Sequence, residues 1–306
     1  MTKTGFPKPA PDAIRTIPDP PLVRLPDPAR LFATRAARLR QLAKAGHDLA
    51  PYLRFLAGLV EVQAGIQDGL KPAEPPAPKI LDRAARHSMP PLDRTSFAVT
   101  PAFERLLDGL LAAAAGLEMP QAAREALARV REAEPTTRAE MAGNVLMDAV
   151  PFEAIAEHAL VAAALQVHFA RLAATLDGKA LRPVADGVCP ACGGAPVASL
   201  VVNWSGADGA RYCACALCAT SWNYVRAKCT LCGSTRKISF REIDGGNGAV
   251  KAEVCGECEG YVKVLYQQTN PGLDAVADDV ATLGLDMLLR EQGFRRGAVN
   301  PFLTGY

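Results

Sequence analysis

Eight of the nine cysteines fall into four CxxC pairs, Cys189/Cys192, Cys215/Cys218, Cys229/Cys232 and Cys255/Cys258, and the second two pairs repeat the first two forty residues later. Each half reads CxxC, 22 residues, CxxC, which is enough chain for two small antiparallel hairpins that gather four thiolates around one ion. Two residues between cysteines curl the backbone so that both sulfurs reach a metal at about 2.3 Å, and four soft thiolates suit zinc or iron in tetrahedral geometry. The repeat predicts that knuckles pair within each half, although the spacing alone also permits a cross-braced arrangement. A small residue after the second cysteine eases the curl. Gly193 and Gly233 fill that place in the first knuckle of each half, but Ala219 and Glu259 fill it in the second, so the second knuckles are expected to be less regular. Four thiolates and a divalent ion leave a charge near minus two, for which Arg211, Lys228 and Lys251 are candidate counter-charges. Cys213 has Glu253 at the matching place and stands outside the ligand set; it reads as a buried strand thiol, with a reactive or auxiliary thiol as the alternative.

These residues must be positioned by the rest of the chain. Residues 1–30 form a proline-rich arm, and residues 31–180 read as an α-helical domain. A stripe of Leu39, Leu42, Leu49, Leu53, Leu56 and Val60 predicts one long helix or a broken pair over about 31–70. Lys71 to Pro78 holds four prolines in eight residues and is expected to be a stiff loop. Helices are predicted over about 101–116, 121–133, 137–150 and 152–176, with Thr137 and Glu140 as a capping box. After Asp177-Gly178 the pattern changes to short β-prone runs: 197–203, 210–213, 221–225, 237–243, 250–254 and 261–266. The cysteines sit between these runs, in a first module over 181–226 and a second over 227–271. The remaining segment, 272–306, is expected to be a C-terminal helix and tail, with a helix over about 273–292.

Other residue patterns narrow the chemistry. His158 and His168 lie ten residues apart on one predicted helix, about 15 Å along its axis, so they cannot share an ion; with Val161, Leu165 and Leu172 on the same stripe they read as core histidines. No phosphate-binding glycine loop, G-x-S-x-G elbow or H-E-x-x-H is present. Asp274, Asp278, Asp279 and Asp286 read as a solvated face or as charge complementing a helix N-terminus, with docking as the alternative. The longest apolar runs fall well short of the roughly 20 residues that span a bilayer. The N-terminus shows neither an apolar h-region nor a twin-arginine pair, so a cytoplasmic protein with reduced thiols is expected. The formal net charge is +2, and residues 181–271 carry nine Lys or Arg against seven Asp or Glu, too thin a surplus for a phosphate-binding surface. Trp204, Trp222, Tyr212 and Tyr224 could stack bases but equally pack small hairpins.

The order of these features resembles the formate dehydrogenase accessory protein family, FdhE. The resemblance is carried by Cys189-Pro190-Ala191-Cys192-Gly193, by Trp222 to Cys232, by Cys255-Gly256-Glu257-Cys258-Glu259-Gly260-Tyr261-Val262-Lys263, and by Asp278 to Asp286 with Gly293-Phe294. It covers nearly the whole chain, most securely from about Pro183 onward. It implies a cytoplasmic maturation factor, not an enzyme, whose partner is the catalytic subunit of respiratory formate dehydrogenase. It also implies that Cys189, Cys192, Cys215, Cys218, Cys229, Cys232, Cys255 and Cys258 hold two metal ions in a rubredoxin-like way, with iron favoured and zinc the alternative. No nucleic acid and no membrane insertion are expected, and a homodimer is left open. The expected fold is a multi-domain α+β arrangement: an all-α N-terminal domain, two tandem rubredoxin-like or zinc-ribbon β modules, and a C-terminal helix. Two other functions follow from the cysteines alone: a zinc-ribbon nucleic-acid binder, and a dithiol oxidoreductase. The second would require a metal-free CxxC opening a helix in a βαβ context, and four copies in hairpin texture do not fit that requirement.

Overall fold

The structure, a computed structural model, describes residues 20–44, 46–203 and 208–304. Most of the proline-rich arm, and Trp204, lie outside these residues. A helical N-terminal region is followed by a sheet-rich region and a short helical return. Helices α1 (Pro28–Lys44) and α2 (Ala50–Gly65) form the broken pair. They bury Phe32, Ala36 and Leu39 of one against Leu53, Leu56 and Val60 of the other, each large side chain contributing roughly 1.5–3 kcal/mol when removed from water. Helix α3 (Pro78–His87) was not anticipated. The proline run supplies Pro78 at its first turn, where the missing N–H costs nothing, and only Ala84 of it is buried.

Helices α4 (Pro101–Ala114), α5 (Gln121–Glu132) and α6 (Pro135–Leu146) surround α7 (Ile155–Ala173). Thr100 caps α4 by accepting from the Phe103 N–H at 3.2 Å. The capping box expected at Thr137 is absent, because α6 begins earlier at Pro135, whose fixed φ suits a first turn, and Glu134 precedes it without a side-chain cap. Helix α7 is apolar nearly all round, as befits a central helix. Its buried Gln166 donates to the Ala216 carbonyl at 2.8 Å, tying the helical region to the first cysteine module.

The strands are β1 (Val23–Arg24), β2 (Pro196–Val202), β3 (Ala210–Cys215), β4 (Ser221–Asn223), β5 (Ile238–Arg241), β6 (Val250–Cys255), β7 (Gly260–Tyr266) and β8 (Arg295–Arg296). They form one sheet in the order β1-β4-β3-β2-β7-β6-β5, with β8 beside the start of β7. Each half of the repeat is thus an antiparallel three-strand unit, β4-β3-β2 and then β7-β6-β5. The units join head to tail by parallel pairing of Ser199, Leu200 and Val201 with Val264, Leu265 and Tyr266. The single C-terminal helix expected over 273–292 is instead α8 (Ala277–Ala281) and α9 (Leu283–Glu291), broken at Thr282. Thr282 donates its hydroxyl to the Asp278 carbonyl at 2.7 Å, and its own carbonyl lies 3.1 Å from Lys263 Nζ. No helix among the described residues is long and apolar enough to cross a membrane.

Candidate metal centres

Four tight turns at the ends of hairpins present the paired cysteines. In the first half the Gly193 N–H donates to Cys189 O and the Cys189 N–H to Gly194 O, both at 2.9 Å; in the second half Gly233 and Ser234 repeat the pattern around Cys229 at 3.0 and 2.8 Å. Gly193 and Gly233 have φ of +77° and +71°. The second knuckles prove just as regular, because Ala219 and Glu259 take the same left-handed conformation at +58° and +56°, a backbone state that costs a non-glycine residue about 1–2 kcal/mol. Backbone N–H groups approach the sulfurs, Leu217 to Cys215 Sγ and Leu231 to Cys229 Sγ, each at 3.4 Å.

The turns converge into two clusters, Cys189/Cys192/Cys215/Cys218 and Cys229/Cys232/Cys255/Cys258, in each of which all four sulfurs lie within 4.8 Å of one another. The knuckles therefore gather within each half of the repeat. Cross-knuckle sulfur separations are 3.6 and 3.4 Å in the first cluster and 3.9 and 3.7 Å in the second. A tetrahedron with metal–sulfur bonds of 2.3 Å has edges of about 3.8 Å, so both clusters could hold one tetrathiolate-bound ion. None of the cysteines forms a disulfide.

Identical spacing leads to unequal settings. The first cluster is sealed: its four cysteines are at most 2% exposed. The segment after α3 closes over it, with the Leu92 and Arg94 N–H groups donating to Ala191 and Cys192 carbonyls at 2.9 and 3.1 Å. In the second cluster Cys229 and Cys255 are buried, but Cys258 is half-buried and Cys232 exposed.

The counter-charges expected from sequence have other partners. Arg211 pairs with Glu253, Lys228 with Asp186 and Lys251 with Glu242. Burial works to lower the Arg94 pKa, but its bond to Asp148 at 2.7 Å and the nearby charges of Asp148, Cys192 and Cys215 outweigh it and raise the pKa. Cys213 belongs to neither cluster. Its thiol lies 3.7 Å from Ser199 Oγ, and burial pushes its pKa up to about 11, so it is a protonated strand thiol at neutral pH. Its repeat counterpart Glu253 reaches Arg211 in the first unit, while the same guanidinium donates to Ser199. His158 is bound to the Ala154 carbonyl and the Asn144 side chain. His168 is ringed by Phe97, Phe103 and Phe169. Neither joins a metal-binding group among the described residues.

The acidic cluster is not a solvated face. Asp274 and Asp278 pair with Arg35 and Arg38 of α1, and Asp279 and Asp286 are buried with Lys263 and Arg296. Burial alone would raise the Asp279 pKa, but Lys263, Arg296 and Asn300 outweigh it and hold the carboxyl below its ordinary value. A cavity of about 250 Å³ opens beside the first cluster, lined in part by Arg94, His158, Gln166, Arg296 and Asn300. All of these are already engaged, by Asp148, Asn144, the Ala216 carbonyl, Asp279 with Asp286, and the Val276 carbonyl.

Comparison with known proteins matches this architecture along the chain. Family models described as FdhE, N-terminal, FdhE, central domain and FdhE, C-terminal domain match residues 20–186, 188–226 and 227–303. The chain is 48% identical over 301 residues to a Protein FdhE homolog from Rhizobium meliloti (strain 1021), covering 98% of each chain. It is 41% identical over 288 residues to a Protein FdhE homolog from Edwardsiella ictaluri (strain 93-146), covering 91% of this chain and 90% of the other. The crystal structure of the FdhE protein from Pseudomonas aeruginosa superimposes with a TM-score of 0.83 at 35% identity, covering 94% of this chain and 99% of that one. With all three family regions matched in order and the likeness running through helices, knuckles and tail, the chain belongs to the FdhE family.

Proposed function

We propose that this protein is a cytoplasmic accessory factor that binds the catalytic subunit of respiratory formate dehydrogenase during its maturation, and that it is not itself an enzyme. In this reading Cys189, Cys192, Cys215 and Cys218 hold one metal ion and Cys229, Cys232, Cys255 and Cys258 a second, with iron favoured over zinc. The observation that carries it is the pair of four-sulfur clusters with tetrahedral spacing in an FdhE chain. Tetrathiolate iron would supply one-electron chemistry without a change of ligands, whereas zinc would supply only a scaffold. The chain's own contribution is to fix the sulfurs, aim N–H groups at them and leave the second cluster open to an approaching protein. Anaerobically purified protein is expected to contain two metal ions per chain by elemental analysis and to co-purify with the catalytic subunit. Colourless protein with two zinc ions removes the iron assignment, and failure to form a complex under anaerobic conditions overturns the accessory reading.

A further inference from the structure

Among the described residues, the head-to-tail repeat leaves one edge of the sheet without a neighbouring strand. The forty-residue offset maps Ser199, Leu200 and Val201 of β2 onto Ser239, Phe240 and Arg241 of β5. In the first unit these three residues pair in parallel with β7. In the second unit β5 ends the sheet, with no strand beside it among the described residues. At the opposite end β1 covers β4, as Val23 and Arg24 pair with Trp222 and Ser221.

The polar groups of this edge can be placed. The Gly256 N–H donates to the Lys237 carbonyl at 2.9 Å. Residues of an antiparallel pair alternate in direction, so the N–H and carbonyl of Phe240 point away from β6. Phe240 is 45% exposed. Arg241 donates to the Phe240 carbonyl and to Ser239 Oγ and has no carboxylate partner among the described residues, while Arg236 and Lys237 share the single carboxylate of Glu257. A cation folded over a bare edge deters a like-charged edge from pairing with it. An acidic side chain has the opposite effect, because it draws the guanidinium off the carbonyl.

We propose that β5 is a strand-addition site for an extended, acidic segment of a partner protein, which pairs with Ser239, Phe240 and Arg241 in parallel as β7 pairs with Ser199, Leu200 and Val201. An apolar side chain of the segment packs on Phe240 and a carboxylate meets Arg241. Backbone pairing supplies affinity and the two side chains supply selection. The partner is the client of the accessory reading above, on which this inference rests.

The test uses the full chain with its metals and, as probe, the catalytic subunit of formate dehydrogenase. Phe240→Pro removes the outward N–H without removing a β5–β6 hydrogen bond, and Arg241→Glu reverses the charge. Each is expected to weaken capture of the subunit by about tenfold or more, with metal content and circular dichroism unchanged. Amide exchange at 239–241 is expected to slow in the wild-type complex. If Phe240→Pro disturbs metal content, Arg241→Glu and the exchange measurement decide. Wild-type protein that captures no subunit overturns the accessory reading and the inference with it. Capture that is unaffected by Arg241→Glu, with unchanged exchange at β5, overturns the strand-addition site alone. Self-association abolished by these variants while capture persists assigns the edge to a second copy and likewise overturns the proposal.

Discussion

Cys192 and Cys232 occupy the same place in the repeat, yet one is sealed beneath the segment carrying Arg94 and the other faces solvent. Attack on a thiolate depends on access as well as charge, so the two proposed metal sites should exchange on different timescales. A strong chelator is expected to remove one metal equivalent at least about tenfold faster than the other, followed by absorbance. Mass spectrometry after brief alkylation should find Cys232 and Cys258 labelled before the remaining ligands, with Cys213 unmodified. Equal release rates, or early labelling at Cys189, would show the sites to be equivalent. His168 gives a separate signal. Burial, and then the charge of Arg171, lower its pKa from 6.5 to about 4. Between those values the unfolded chain binds more protons than the folded one, so stability falls as pH drops from about 6.5 to about 4, by on the order of 3 kcal/mol. Urea midpoints of wild type and His168→Phe should move apart as pH falls through this window, because only wild type carries the loss; a constant offset between the curves would rule out the contribution. At this scale spacing made the two four-cysteine clusters legible, because CxxC geometry is local. Exposure was not legible, since what covers Cys192 is a loop a hundred residues upstream.

Among elements, the β2–β7 junction is locked by Arg211 of β3 and Glu253 of β6, 2% and 4% exposed. Burial raises the Glu253 pKa, opposed by the Arg211 charge and hydrogen bond. Removing one member of a buried pair leaves the other uncompensated, so Glu253→Gln is expected to cost about 3–5 kcal/mol, and the double change Arg211→Met with Glu253→Leu considerably less. Denaturant titration checks both, and a single-variant loss below about 1 kcal/mol would show the pair to be solvated in practice. Six of the eight strands were visible in the sequence as short β-prone runs bounded by turn residues, whereas the two-residue strands β1 and β8 were not. Nor was the parallel β2–β7 junction, because nothing in either strand's pattern names its neighbour. The mismatch of Cys213 with Glu253 is visible in the sequence, but the local pattern makes Arg211 look like a counter-charge to thiolates, whereas it serves a carboxylate across the junction. Likewise Asp274 and the aspartates of α8 and α9 look solvated in the sequence because Arg35, Arg38, Lys263 and Arg296 are brought to them only by tertiary packing.

Across the whole molecule, one apolar core runs from α1 through α7 into the first cysteine unit and α8, and it includes Cys189, Cys192, Cys215 and Cys218. The second unit contributes Ala252, Val254 and Tyr261 to a small separate cluster with Leu285 and Leu289 of α9. Tetrathiolate binding in small ribbons is worth roughly 10–16 kcal/mol, so loss of each metal should have a different reach. Removing the faster-exchanging ion is expected to loosen the outer ribbon while far-UV circular dichroism keeps its helical signal. Removing the second should lower that signal cooperatively. A helical signal untouched by removal of both ions would separate the core from the first cluster. The order of helical and sheet-rich regions was readable from periodicity, whereas this division into a large and a small core depends on which unit α7 packs against.

The ion pairs of Arg35 with Asp274 and of Arg38 with Asp278 join residues 239 and 240 positions apart. At synthesis rates of about 5–20 residues per second, the first helix waits roughly ten seconds to a minute before its acidic partners leave the ribosome. During that interval two arginines destined for burial remain hydrated, and the nascent helical bundle lacks its final clasp. Completion of the fold is therefore a late event in translation.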